Sequence, residues 1–288
     1  MASYREQFLQ VLAYIEANLD TELDIDQLCG LTQLSRYHFH RQCSAYFGMP
    51  LMAVVRLLRL KRSAYQLAYR TDRRILDIAL ENGYDSHEAF SRAFKKHFGQ
   101  SPSKFRLSPN WDHWLSHYQP ILTLRTQIMR SQDKIQVTII DFPETLVATL
   151  EHKGPPNLLS TTIRKFIEWR KSQGLTPATS RTFNLLYNDP AATEPGEYQY
   201  DICCSVPYSV KNDNHGIKSK TIPAGKCAVI RHTGSDDTIG ITVSYLYSDW
   251  LEMSGFALRN FPIFLERVKF FPEVKESEMI TDIFLPIE

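Results

Sequence analysis

The chain has 288 residues, of which 43% are hydrophobic and 23% charged, and its net charge is +1. Those proportions exclude disordered, collagenous and coiled-coil chains, and at roughly 100–200 residues per domain the length points to two domains. Five cysteines without a CxxC pair speak for a reducing compartment and against a zinc site.

In chain order, Phe8, Val11, Leu12, Ile15 and Leu19 recur at three- and four-residue steps, one face of an amphipathic helix. Two pairs of short helices are expected near 25–47 and 75–98. Between them lies a longer helix that starts after Gly48 and Pro50 and carries Leu51, Val54, Val55, Leu58 and Leu67. Ser101-Pro102 and Ser108-Pro109 break the pattern. Residues 110–134 read as a connecting segment able to pack on either domain. Trp111, Trp114 and Tyr118 fit one helical face, and Ile121–Leu124 fit a short strand. From about 135 the period changes. Val137–Ile140, Leu146–Leu150, Phe183–Tyr187, Tyr200–Val206, Lys226–Arg231 and Met279–Leu285 read as strands. Helices near 157–173 and 238–254 separate them, an α+β pattern. The expected division is 1–109, all-α; 110–134, connecting; 135–288, α+β.

Charge follows this division. Residues 1–109 carry a net +4 and residues 110–288 a net −3; within 35–106 there are 14 basic and 5 acidic residues, a net +9. Basic charge focused on one small domain is the footprint of a polyanion binder, or simply a solvated surface.

An internal repeat favours the first reading. With a shift of 51, residues 26–48 align on 77–99, and Asp26/Asp77, Ser35/Ser86, Phe39/Phe90, Arg41/Arg92, Phe47/Phe98 and Gly48/Gly99 are identical. Each copy reads as a short helix, a turn, and a second helix opened by a capping serine, the helix-turn-helix unit. Phe39 and Phe90 should face inward. The outward face of the first copy carries Arg36, Tyr37, His40 and Arg41; that of the second carries His87, Glu88, Ser91, Arg92 and Lys95. Such side chains can reach base edges and phosphates in a major groove. Lys95, Lys96, Lys104 and Arg106 suit phosphates, which give affinity without sequence reading. Arg41 and Arg92 could instead pair with acids of the domain, and Glu88 could hold Arg92 as an (i, i+4) pair. His38 and His40, two apart on a helix, cannot share a metal.

Ile78-Ala79, Gly83-Tyr84, Phe90-Ser91-Arg92, Phe94-Lys95, Phe98-Gly99, Ser101-Pro102 and Phe105-Arg106 together resemble the signature of the AraC/XylS family of transcription regulators. The resemblance covers about residues 5–108. It implies two helix-turn-helix units joined by a long helix at about 51–69, with recognition helices at about 35–46 and 86–97. It also implies double-stranded DNA as partner, with Ser35, Arg36, Tyr37, His40, Arg41, Ser86, His87, Glu88, Arg92, Lys95 and Lys96 as contacts. RNA polymerase would be a further partner of a bacterial activator. Tyr37 stands where the family commonly has Trp, and His87-Glu88 where a polar amide pair is frequent. Two different reading helices in one chain imply an asymmetric operator bound by a monomer, with blocks about 34 Å apart.

In the second half, Glu266 stands inside the apolar run Phe261–Val268. It is either a surface residue or a buried counter-charge wanting a cationic partner; the sequence alone favours the surface. Neighbouring Arg267 would point to the opposite face of a strand. Residues 136–287 resemble the gyrase-inhibitor-like ligand-binding domain through Val137–Pro143, Val147–Gly154, Tyr187–Pro190, Tyr200–Val206, Ile222–Ala228, Gly234, Trp250, Ser254–Phe256, Pro262 with Glu266, and Asp282–Ile287. That resemblance implies two similar βαββ-like halves about a groove. It also implies a small, cationic, aromatic effector at Glu266, with Trp250, Tyr245 and Tyr247 as aromatic candidates, and a multidrug or stress response. Val268 replaces the aromatic usual two places after the glutamate. A protein-interaction module and a small-molecule hydrolase with Glu266 as general base are the alternatives. No Ser/His/Asp or Cys/His arrangement supports catalysis, so no enzyme, no cofactor and no metal are expected. Arg5 and Glu6 stand where a signal peptide needs an apolar run, and no stretch approaches the ~18 uncharged apolar residues of a membrane helix. A cytoplasmic, nucleoid-associated protein without a membrane partner is therefore expected.

Overall fold

The computed structural model describes residues 3–21, 23–129, 136–190, 192–210, 215–271 and 273–288. The chain forms two compact units: Met1–Asp133 with Lys275–Ser277, and Lys134–Val274 with Glu278–Glu288. The last residues of the expected connecting segment, 130–134, lie outside the described residues.

The first unit is helical throughout its described length. Its helices are α1 (Tyr4–Ala17), α2 (Ile25–Thr32), α3 (Arg36–Phe47), α4 (Leu51–Tyr69), α5 (Ile75–Glu81), α6 (His87–Phe98), α7 (Pro102–Leu107) and α8 (Asp112–Met129). Ser3 and Glu6 form a capping box on α1. Ser35 and Ser86 accept hydrogen bonds from the backbone N–H groups of His38 and Ala89, at 3.5 and 3.1 Å. Gly48 and Gly99 then end α3 and α6 at φ +66° and +68°, where a side chain would be strained. The repeat is therefore a repeat of start and stop signals as well as of core residues. Phe39, Phe47, Phe90 and Phe98 all lie in one core with Phe8, Leu12, Val54, Leu58, Leu67 and Ile78.

α8 resolves the ambiguous segment. It is helical through Ile121–Leu124, so the short strand does not form. Trp114, Tyr118, Ile121 and Leu124 are buried in the core of the first unit. Trp114 stacks on Phe98 at 4.7 Å and on Tyr118 at 5.4 Å, which fixes this helix to the end of α6. Pro120 stands inside the helix and weakened the helical signal in the sequence.

α4 joins the two copies, and its polar face holds the loop after α1 and the end of α5. Arg59 donates to the carbonyls of Leu19 and Thr21 at 2.8 and 3.0 Å. Arg62 donates to Asp20 and to the buried Asn82 at 2.8 and 2.9 Å, and Asn82 in turn donates to Gln66 at 2.7 Å. One α4 face is thereby tied to the end of α1 and to the turn before α6.

The second unit is an eight-stranded antiparallel sheet with order β1-β6-β8-β7-β3-β4-β2-β5. The strands are β1 (Thr138–Phe142), β2 (Thr145–Lys153), β3 (Thr182–Leu186), β4 (Gln199–Ser205), β5 (Lys218–Ile222), β6 (Gly225–Thr233), β7 (Ile263–Lys269) and β8 (Ile280–Pro286). α9 (Leu159–Ser172) follows β2. α10 (Ile239–Tyr245) follows β6 and continues through a π-helical turn, Leu246–Trp250, into α11 (Leu251–Ser254). β5 and β7 are not among the expected strands: Lys218-Ser219-Lys220-Thr221-Ile222 reads as polar, and it is an edge strand, where lysines are at home, while Glu266-Arg267 interrupts the apolar run of β7.

Two halves are related by a shift of 80–81. Both carry a buried histidine that ties the long strand to the following helix. His152 bonds the Pro155 carbonyl and the Thr162 hydroxyl at 3.2 and 2.8 Å. His232 bonds the Ser235 carbonyl and the Thr242 hydroxyl at 3.0 and 3.2 Å. In each, the carbonyl can only accept, so Nε2–H donates to it and Nδ1 faces the threonine hydroxyl. Burial lowers the pKa of His232. The expectation of two βαββ-like halves is met.

Both helices cover one face. α9 packs with Ala148, Leu150, Tyr200 and Ile202, and α10 with Ala228, Ile230, Leu265 and Ile283. Strand alternation turns Val147, Phe183, Leu185, Cys203, Phe264 and Phe284 to the other face, where Phe142 joins them. The ring of Phe142 lies 6.2 Å from that of Phe183, although β1 and β3 are four strands apart. A flat sheet would separate them by about 19 Å, so the sheet curls until its two halves share an interior.

Candidate DNA-reading helices and effector site

α3 and α6 each bury one stripe and expose the opposite one. On α3, Phe39, Cys43 and Phe47 are buried, while Arg36, Tyr37, His40, Arg41 and Ser44 are exposed. Tyr37 is 85% exposed, too open for a core role. On α6, Phe90, Phe94 and Phe98 are buried, while His87, Glu88, Arg92, Lys95 and Lys96 are exposed. Aligned on the repeat, Arg41 meets Arg92, Tyr37 meets Glu88, and Ser44-Ala45 meet Lys95-Lys96. The scaffold is one; the surfaces differ.

The exposed cations are not equally available. Arg36 spends both arms of its guanidinium on Asp26, at 2.7 and 2.5 Å, and this pairing lowers the Asp26 pKa. In the second copy Asp77 is held instead by Arg74, at 2.9 and 2.8 Å, which leaves His87 out of the pair. Arg41, Arg92, Lys95 and Lys96 make no ion pair among the described residues. Glu88 does not pair with Arg92. Its carboxylate is drawn to the backbone N–H and the Ser86 hydroxyl at the start of α6, which lowers its pKa, as the positive end of a helix favours.

In the second unit, the four expected effector residues are not brought together. β7 alternates: Ile263 and Leu265 face the helices with Tyr245 and Trp250, while Phe264 and Glu266 face the curled interior. Tyr245 and Trp250 are partly buried and pack against the core on the α10 side, and Trp250 stacks on Phe256 at 6.1 Å. Tyr247 is 40% exposed on the π-helical turn. Only Glu266 lies on the interior face.

Glu266 does have a cationic partner, and it is not Arg267. Arg181, immediately before β3, donates to both carboxylate oxygens at 2.7 and 2.6 Å. Its guanidinium lies 4.9 Å from the Phe183 ring and 5.6 Å from the Phe142 ring. Hydrogen bonding to Glu266 raises the Arg181 pKa against the opposing effect of burial. Arg267 serves the other face, donating to Asp236 and Asn184 at 2.6 and 3.0 Å. Sequence reasoning had no means of finding Arg181, which is 85 residues from Glu266. The shift of 81 was visible, however: it superposes Phe183 on Phe264 and Asp201 on Asp282.

Those two aspartates anchor charge on the same face. Asp201 accepts from Lys220 and Tyr187, each at 2.7 Å. Burial, and then the Asp201 hydrogen bond, push the Tyr187 hydroxyl up to about 12. Asp282 accepts both arms of Arg231 at 2.7 Å. The interior is thus an aromatic floor rimmed by compensated charge.

Two helix-turn-helix units ahead of a ligand-binding domain define a class, the DNA-binding transcription regulators. Residues 135–288 match the family of the GyrI-like small molecule binding domain, and residues 28–108 match a helix-turn-helix domain. The chain belongs to the GyrI-like family, with an AraC-type helix-turn-helix domain before it. It is similar to the probable transcriptional regulator YgiV of Escherichia coli strain K12, 38% identical over 154 residues, 53% of this chain and 96% of that one. The right origin-binding protein of the same strain is 40% identical over 101 residues, 35% of each chain. A more distant likeness is the crystal structure of the EcmrR C-terminal domain, 19% identical, with TM-score 0.44 over 53% of this chain and 97% of that one.

Proposed function

We propose that the protein regulates transcription by binding an asymmetric operator as a monomer, with α3 and α6 as its two reading helices. The observation that carries this reading is the pair Arg41 and Arg92. They occupy equivalent places in the repeat, both are exposed, and neither is committed to an acid of the domain. A free guanidinium fork matches O6 and N7 of guanine. Tyr37, His40, His87 and Glu88 flank them as further base-edge contacts. Ser35 and Ser86 act at the helix starts, where free N–H groups favour phosphate. Lys95 and Lys96 give α6 the stronger phosphate grip. Arg36 contributes less, because Asp26 holds it.

The test is selection of bound sequences from random oligonucleotides at near-physiological salt. The expected motif has two unlike blocks about one turn apart, bound by one chain per site. Arg41→Ala should relax one block and Arg92→Ala the other, each costing about 1–3 kcal/mol at its own base pair. Unchanged motifs in both variants would remove α3 and α6 from the reading role. Co-sedimentation with RNA polymerase on that operator tests the role of activator.

We further propose that the interior face around Glu266 is where the second domain takes its small molecule, a compact cation with an aromatic body. Glu266 supplies the charge; Phe142 and Phe183 supply ring faces for cation–π attraction. Tyr245 and Trp250 stay outside this site, on the far side of the sheet. A hydrolytic role for Glu266 finds no support, since its carboxylate is occupied by Arg181.

A further inference from the structure

We infer that Arg181 is a built-in occupant of the Glu266 site, a tethered cation that a ligand must displace. The inference rests on the proposal that this face binds the small molecule, and it adds what such a molecule must overcome.

Three observations lead to it. The first is shape. Arg181 presents a flat, delocalised cation edge-on to a carboxylate and near two aromatic rings. That is the chemistry a planar aromatic cation would offer. The second is symmetry. The shift of 81 that superposes Phe183 on Phe264 places Leu185 against Glu266 and Arg181 against Pro262. The charged pair therefore occurs once, beside an aromatic position, Phe183/Phe264, that occurs twice. It spans the junction of the halves, since Phe183 and Glu266 are direct cross-strand partners on β3 and β7. The third is exposure. The Glu266 side chain is 15% exposed and that of Arg181 is 44%, so the cation covers the acid and can itself swing outward.

The consequence is a threshold. A group tethered beside its partner acts at an effective concentration near the millimolar range, so weak cations lose to Arg181. A larger planar cation has more ring area to offer Phe142 and Phe183 and can win. Displacement would also be felt in the backbone. The Arg181 amide donates to the Ser205 hydroxyl, and its carbonyl accepts from the Ser205 amide, both at 2.9 Å. The side chain that yields is thus attached to the register of β3 on β4.

The experiment is a fluorescence titration of the full chain with ethidium, a planar cation, and with Nile red, a neutral planar dye. Arg181→Ala should tighten ethidium at least tenfold and leave Nile red unchanged. Adding Glu266→Gln to that variant should abolish the gain. If Arg181→Ala does not fold, Arg181→Gln keeps the length and removes the charge, with the same expectation. Equal ethidium affinity in the wild type and the variant, still weakened by Glu266→Gln, would overturn the occupant and leave the ligand site standing. Absence of ethidium binding in every variant would overturn both.

Discussion

Both units of this chain are internally repeated, and the two repeats preserve different things. The first, with its shift of 51, keeps caps, stops and large aromatic core residues: Ser35/Ser86, Gly48/Gly99, Phe39/Phe90, Phe47/Phe98. The second, with its shift of 80–81, also keeps stops and core residues, Gly154/Gly234, Gly174/Gly255, Trp169/Trp250 and Phe183/Phe264, and adds polar anchors that the first lacks: His152/His232, Thr162/Thr242, Asp201/Asp282. A short helix is specified locally, by its ends and one stripe, so duplicates must repeat local signals. A strand in a curled sheet is specified by neighbours far away in sequence. Its duplicates agree at turns and core positions and, beyond these, where a polar group must find its partner inside.

The largest effect expected tests whether the first repeat is energetically even. Phe39→Ala and Phe90→Ala each remove a fully buried ring and should cost about 3–5 kcal/mol in denaturant unfolding. Equal costs would mean equivalent copies. A cheaper Phe39→Ala would mean that the second copy, with Phe94 and Phe105 against its core, carries the unit. Next come the histidine anchors. Thr162→Val and Thr242→Val each leave a buried imidazole nitrogen unpaired and should cost about 1–3 kcal/mol. His232 adds a pH dependence. Its pKa is lower in the fold than in the open chain, so its contribution is complete above the ordinary imidazole value of ~6.5 and is lost as the pH falls below it. Protection of the β6 and α10 amides against hydrogen exchange, taken relative to the intrinsic rate at each pH, should fall between pH 7.5 and 5.5, and His232→Gln should flatten that response. The smallest effect separates α3 from α6. Lys95→Ala should reduce the slope of log affinity against log salt by about one, and Ser44→Lys in α3 should raise it by about one.

What the sequence made legible follows the same division. The helices of the first unit, their caps and the exposed faces of α3 and α6 could be read because each is written within a dozen residues. α8 was obscured by Pro120. In the second unit the strands are legible wherever β-branched residues cluster, whereas lysines hide β5 and the charged Glu266-Arg267 hides β7. The placement of Glu266 depended on alternation, which a short apolar run such as Phe261–Val268 conceals. Only the family resemblance joins Tyr245, Tyr247 and Trp250 to Glu266, and it does not say which face of the sheet their helix covers. Arg181 is a contact of topology alone, created when β3 is laid beside β7.

One feature of the first unit reaches beyond the chain itself. α4 has 19 residues, about 28 Å of rigid rod, and the second helix of each copy shares one buried core with it. A duplex turns by roughly 34–36° for each base pair. A reader whose two heads cannot rotate against one another would lose one head to a single inserted pair. For such a protein the unread bases between the blocks are part of the message: their number is fixed even where their identity is free.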